Sequence, residues 1–501
     1  MKYSHLTAAV LVTGLSCGFL NAQTTLNWSG GSGGGNANMS GTDNWAEGTS
    51  PGADTDLVIA TRNGSGTIPT LLTGADYTIR SISFDNAAGR YGENGVRIGP
   101  TTSSSATTVR TLSFGTADID IISATNNATV TFWRYNSVGA SLTINLGYTG
   151  YGGINIDSTS SVTFSTASIT GTGGIEKTGT GTLVLGTTNT FTGGLTISEG
   201  VVSIDNAANL GSTASVNTNG VIINGGTLQV TGGATASFAN RGWRVGAQGG
   251  TLEVAEDVTF RILGSMRNVS GEDGVLVKTG AGTLSLENTS TGTSGYAHTG
   301  GTVVSAGTLL LNAGVTLGRD EGAGLTVASG ATLAGSGTVA GDSVLADGAI
   351  VDIGTYSAGV LSDAIGTLAF TGNLSVGDAS FFFDLATTGA SDLVQLAAGA
   401  VLDIGSGVFD LDNLQLTALA GFDDGLYTLF STSETIVGTL GDTLTGTLDG
   451  RDVVLSLGSN GTSLVLRVGA AIPEPATFAA LAGLALFGLA FFLRRHPARR
   501  S

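Results

Sequence analysis

One nine-residue pattern occurs twice in the chain, with seven of its nine residues identical. Lys177-Thr178-Gly179-Thr180-Gly181-Thr182-Leu183-Val184-Leu185 returns as Lys278-Thr279-Gly280-Ala281-Gly282-Thr283-Leu284-Ser285-Leu286. The continuations align as well: Gly193-Gly194-Leu195-Thr196-Ile197-Ser198-Glu199-Gly200-Val201-Val202 matches Gly300-Gly301-Thr302-Val303-Val304-Ser305-Ala306-Gly307-Thr308-Leu309, after a connection six residues longer in the second copy. Looser echoes follow at Leu325–Gly330, Gly366–Val376 and Ala398–Ile404. A unit of about 25 to 30 residues with short strands cannot bury its inward side chains alone, but coils stacked about 4.8 Å apart pair each strand with its neighbours above and below. A longer connection in such a stack projects as a loop. The repeat therefore predicts an all-β chain folded as a right-handed parallel β-helix, a solenoid.

The local pattern agrees. Short apolar runs such as Val221-Ile222-Ile223 are separated by Gly, Asn, Asp and Ser, and no stretch between residues 23 and 470 has helical periodicity. Leu183 with Leu185, Leu195 with Ile197, and Val202 with Ile204 are expected to fill the interior from three walls, with Gly179, Gly193, Gly194 and Gly200 at corners of positive φ. A β-sandwich would need many two-residue hairpin turns, and the chain has few.

Composition narrows the class. Charged residues make up 12% of the 501, about half the usual share, while 41% are hydrophobic, too many for a disordered chain. The formal net charge is −18. Setting aside Lys2, Arg494, Arg495, Arg499 and Arg500 in the terminal segments leaves 15 basic residues against 38 acidic. Such a surface repels phosphate backbones, which argues against nucleic acid and anionic lipid as partners and leaves cations and neutral glycans.

Met1–Ala22 reads as a secretory signal, with Lys2 at its start, an apolar core over Leu6–Leu15 and Ala22 before the cleavage point. Removal takes Cys17, the single cysteine, with it, so an exported chain must hold together without disulfides. At the other end, Ala476–Leu493 is an uncharged run of 18 residues, about 27 Å as a helix and enough to cross a bilayer core. Arg494, Arg495, Arg499 and Arg500 follow, which keeps the tail cytoplasmic and the body outside. Pro473-Glu474-Pro475 stands before the span. This order resembles the PEP-CTERM protein-sorting signal. The resemblance implies that an exosortase recognises the segment and removes the helix near Pro-Glu-Pro. It further implies a transient stay in the inner membrane, then the outer surface or extracellular space, in a bacterium that makes exopolysaccharide.

The repeat, with Asn189-Thr190-Phe191-Thr192-Gly193-Gly194 between its strands, resembles the autotransporter-associated β-strand repeat, also called the passenger-associated transport repeat. The second copy keeps Gly300-Gly301 but has Tyr296-Ala297-His298 in place of the Asn-x-aromatic turn. The resemblance implies an extracellular β-helical stalk, with Lys177, Gly179, Gly181, Gly193, Gly194, Lys278, Gly280, Gly282, Gly300 and Gly301 as its motif residues. An autotransporter ends in a membrane β-barrel, whereas residues 406–501 hold too few long strands for one.

Chemistry-bearing residues are sparse. His298 is the one histidine outside the terminal signals and lies in a Gly/Thr/Ser-rich insertion, so an exposed loop position is expected. No catalytic residue, metal ligand or cofactor site is assigned. The acid pairs Asp54/Asp56, Asp118/Asp120 and Asp423/Asp424 read as solvated outer-face charge, with Ile119 and Ile121 turned inward. Arg241 and Arg244 around Trp243 suggest either a sugar-stacking surface or caps on an exposed aromatic. The expected organisation is a signal peptide over 1–22, an N-terminal cap and first coils over 23–160, and repeats over 161–405. A C-terminal β region over 406–469, closing in a hairpin, then precedes the sorting signal over 470–501. The reading is a non-enzymatic surface or matrix protein of adhesin type; the alternative is a polysaccharide-binding or polysaccharide-degrading β-helix.

Overall fold

The computed structural model describes residues 23–29, 39, 41–60, 70–73, 75–87, 95–100, 109–133, 141–212, 220–232, 236–237, 241–289, 295–319, 324–357, 360–362, 364–387 and 389–469. Residues 1–22 and 470–501, where a signal peptide and a transmembrane helix are expected, lie outside the described residues. Among the described residues no helix is long and apolar enough to cross a membrane. The architecture is all-β, with mostly parallel strands stacked in a β-helix-like array and only short 3-10 turns between them. It divides into two units, Met1–Gly173 and Gly174–Ser501.

In the first unit the chain visits three walls in turn. One wall stacks Thr24–Asn27, Thr55–Ile59, Ser81–Asp85, Asp120–Thr125 and Tyr151–Ile156 in parallel. A second stacks Thr70–Thr73, Val96–Pro100, Thr129–Phe132 and Ser161–Phe164. The third stacks Tyr77–Ile79, Val109–Phe114, Ser141–Leu146 and Ser168–Gly171. Alternation sets which side faces in: in Ser141–Leu146, Leu142, Ile144 and Leu146 are buried and the residues between them half-buried. Because register is kept from coil to coil, Phe132 falls on Phe164, stacked at 4.6 Å. Asp118 and Asp120 are exposed as expected. The alternation proposed for them is corrected, however, because Asp118 has positive φ and the strand begins only at Asp120, so Ile121 and Ile122 are both buried while Ile119 is half-buried.

In the second unit the first wall runs from Gly174–Thr178 and Leu195–Ile197, through Val221–Ile223, Trp243–Val245, Met266–Asn268, Tyr296–Ala297 and Thr316–Leu317, to Leu393–Leu396 and Gly425–Ser431. The second wall runs from Thr182–Leu185 and Val201–Ile204 to Val437–Thr439. The third, from Ala236–Ser237 to Leu414–Ala418, joins later. Leu183, Leu185, Leu195, Ile197, Val202 and Ile204 are all buried. They do not come from three walls: Leu183 pairs with Val202 and Leu185 with Ile204 one coil apart on the same wall. In these first coils the third side is closed by loop and by the 3-10 turn Ala207–Leu210. Antiparallel strands Gly425–Ser431, Arg451–Leu457 and Ser463–Val468 end the stack, so the expected closing hairpin is present.

Candidate functional site

The two lysines of the repeat are enclosed polar side chains. Lys177 is fully buried, and its Nζ donates to the carbonyls of Thr178 at 2.7 Å, Gly179 at 2.5 Å and, one coil on, Glu199 at 3.4 Å. Lys278 repeats this with Thr279 at 2.9 Å, Gly280 at 2.8 Å and Ala306 at 3.0 Å. The turn after each lysine bends through a glycine of positive φ, Gly179 or Gly280, which aims successive carbonyls at the ammonium. Burial pushes both ammonium groups down to about 8, and at Lys177 the charge of Glu199 opposes that shift. Gly282 is required for space, since a Cβ there would meet the Ala255 carbonyl oxygen at 2.0 Å. Of the expected corner glycines, Gly179, Gly194 and Gly200 have positive φ, whereas Gly193 does not. Asn189 donates to Asn209 O at 2.6 Å while Phe191 is buried, so the Asn-x-aromatic turn braces the next coil and fills the core beneath it.

Three expectations about reactive residues are corrected. His298 is fully buried; its Nε2 lies 2.6 Å from Thr302 Oγ1, and burial pushes it down to about 4. The insertion that carries it supplies the extra first-wall strand Tyr296–Ala297, and alternation turns Tyr296 and His298 inward around Ala297. Trp243 is buried against Phe260, not exposed. Arg241 is buried too, donating to Leu210 O at 3.0 Å and Gly211 O at 2.8 Å, and burial pushes it down to about 10. Only Arg244 of that trio faces out. The acid pairs serve the surface: Asp56 holds Arg80 at 2.6 Å and Asp423 holds Arg451 at 3.0 Å. Among the described residues no group of three or more His, Cys, Asp or Glu side chains could hold a metal ion.

Arg244 instead opens onto a groove of about 490 Å³ on the first wall, together with Arg267 and Arg319. Arg244 and Arg267 occupy the same register position on successive rungs. Residues 269–275 of the groove wall connect the first wall to the second in seven residues, against four in the coils on either side. That loop is pinned in place. Glu272 Oε2 accepts from Ala247 N at 2.6 Å, Asp273 Oδ1 from Thr299 Oγ1 at 2.5 Å, and Asn268 Nδ2 donates to Gly274 O at 3.1 Å. Asn268 Oδ1 in turn accepts from Thr299 N at 2.6 Å. Of the 11 lining residues only Val269 and Ala297 carry apolar side chains, so the groove offers guanidinium donors beside carboxylate, amide and hydroxyl acceptors. Sequence reasoning missed Arg267, Arg319, Glu272 and Thr299. The usable signal was period-two alternation: Val245 inward makes Trp243 inward and Arg244 outward.

Pro473, Glu474, Pro475, Arg494 and Arg495 lie outside the described residues. Comparison with known proteins fits both parts of the chain. The passenger-associated-transport-repeat family matches residues 175–204 and 276–311, and the PEP-CTERM protein-sorting motif matches 471–495. The adhesin BmaC autotransporter of Brucella suis biovar 1 (strain 1330) is 34% identical over 177 residues, which is 35% of this chain and 4% of that protein. The chain therefore spans a small fraction of the curated relative it matches. No solved structure matches it. The chain carries two passenger-associated transport repeats in its second unit and, in sequence just after the Arg451–Val468 hairpin, a PEP-CTERM protein-sorting motif.

Proposed function

We propose that the chain is an exported, non-enzymatic surface or matrix protein of adhesin type, built on a right-handed parallel β-helix. In this reading a signal peptide over 1–22 starts export and a single helix within 470–501 holds the chain in the inner membrane. An exosortase acting near Pro473-Glu474-Pro475 then releases it to the surface or extracellular space.

The observation that carries the reading is an adjacency. The last antiparallel strand of the stack ends at Val468, and the sorting motif begins at residue 471. A body that is closed before its membrane signal begins can fold outside the membrane while still attached to it. The Brucella relative, named as an adhesin, supports the surface role.

The test uses the full chain in a strain with an exosortase and in the same strain lacking it. Protease added to intact cells should degrade the protein in the first strain, and the uncleaved form should accumulate in inner-membrane fractions of the second. Inner-membrane retention in both strains would overturn the reading. Incubation with uronate-containing and neutral polysaccharides should release no reducing ends; their release would favour the enzyme.

A further inference from the structure

We infer that the groove around Arg267 in the second unit binds a neutral oligosaccharide through its hydroxyl groups. The inference rests on the proposed surface role and names a ligand class for it.

The groove holds open hydrogen-bonding groups of both kinds. The Arg267 guanidinium has no hydrogen bond or ion pair among the described residues, and the loop beside it brings two carboxylates, Glu272 and Asp273. Each carboxylate uses one oxygen to hold the loop: Glu272 Oε2 accepts from Ala247 N and Asp273 Oδ1 from Thr299 Oγ1. Glu272 Oε1 and Asp273 Oδ2 have no partner among the described residues. A guanidinium and two carboxylates thus line one groove without pairing, while the loop's own hydrogen bonds hold the carboxylates in place. Groups set before the ligand arrives lower the ordering cost of binding.

That combination selects the ligand. A hydroxyl donates one hydrogen bond and accepts two, so a sugar meets the open carboxylate oxygens with its O–H groups and the guanidinium N–H groups with its oxygens. Neither contact needs charge on the ligand. An anionic polymer would face Glu272 and Asp273 inside the groove and a net charge of −18 around it. An organic cation would pair with the carboxylates but leave the Arg267 charge opposed to it. A peptide would want an apolar anchor, and only Val269 and Ala297 line the groove with apolar side chains. The volume of about 490 Å³ lies in the range of small-molecule sites. The lining extends along the stack from the Trp243–Val245 rung to just beyond Thr316–Leu317, four rungs or about 14 Å. A short chain of sugars lying parallel to the stack axis fills that length better than a single ring.

The experiment measures binding of the full chain by calorimetry to neutral hexasaccharides of glucose, mannose and xylose, with the galacturonate hexamer, free glucose and the diamine putrescine as comparison arms. Variants are Arg267→Gln and Asp273→Asn in the groove and Arg110→Gln on a strand of the first unit; unchanged thermal melts establish that all three fold. At least one neutral hexamer should bind, with an affinity that is the same at low and high salt because no ligand charge is involved. Arg267→Gln and Asp273→Asn should each weaken it about tenfold, the loss of one or two hydrogen bonds to a charged group, while Arg110→Gln leaves it unchanged. The galacturonate hexamer, glucose and putrescine should all bind more weakly. No binding of any neutral hexamer, equal loss in all three variants, no loss in the groove variants, or tighter binding of any comparison ligand would each overturn the inference. Protease access on intact cells is a separate readout, so failure of the groove and failure of the surface role are distinguishable.

Discussion

Lys177 and Lys278 hold the same place in the repeat yet lie on different walls of the stack. The strand of Lys177 pairs with Leu195–Ile197 on the first wall, and that of Lys278 with Thr302–Val304 on the second. The strand after each glycine turn shifts likewise, Thr182–Leu185 on the second wall and Thr283–Leu286 on the third. The repeat thus encodes a corner: strand, glycine turn closed over an ammonium, strand. A corner can be placed at any edge of the cross-section.

The ammonium is expected to be the fastener of that corner. Lys278→Met keeps the length of the side chain but leaves the carbonyls of Thr279, Gly280 and Ala306 without their donor. Unsatisfied buried acceptors cost about 1–3 kcal/mol. The midpoint of urea unfolding should fall accordingly; an unchanged midpoint would mean that the carbonyls find other donors.

The corner was legible in the sequence, but its placement was not. Seven identities in nine residues announce a repeated unit, and alternation within Thr182–Leu185 identifies Leu183 and Leu185 as inward. Which wall a strand joins depends on the length and shape of the connection before it, and glycine-rich connections carry little information about either. The extra strand at Tyr296–Ala297 looked like loop for this reason, and His298 with it. The groove was hidden more deeply, because Arg244, Arg267 and Arg319 come together only once coil register is known.

His298 makes stability depend on acidity. Its folded value is about 4 against an ordinary 6.5, so between those values the unfolded chain takes up a proton that the folded chain refuses. The stability it contributes is present above pH 6.5 and is lost as pH falls towards 4, about 3 kcal/mol in total. His298→Gln should flatten this part of the curve when unfolding free energy is measured at half-unit steps. A variant with the same slope as the parent would exclude His298 as its source.

Inward and outward positions of one strand should respond differently to the same charge. Leu183 is fully buried and pairs with Val202, whereas Thr182 is half-buried and pairs with Val201. Leu183→Asp places an unpaired carboxylate among apolar side chains and should cost about 4 kcal/mol or more, while Thr182→Asp should cost about 1 kcal/mol or less. Thermal melts followed by circular dichroism compare the two. Equal losses would contradict the register.

In the proposed function, release from the membrane should depend on three features of the tail acting together. Pro473 and Pro475 are expected to keep the backbone extended and out of any following helix. The apolar run Ala476–Leu493 would hold that extended site at the outer face of the inner membrane, and the Arg residues after it fix the direction. A membrane peptidase would then meet an accessible peptide at a set depth. Glu474→Ala should leave insertion intact, because a charge outside the hydrocarbon core contributes little to anchoring, yet slow release. The uncleaved form of the variant should accumulate in inner-membrane fractions of a strain that has an exosortase. If the parent chain is itself recovered there with its Arg tail attached, the segment acts only as an anchor and the release step is excluded.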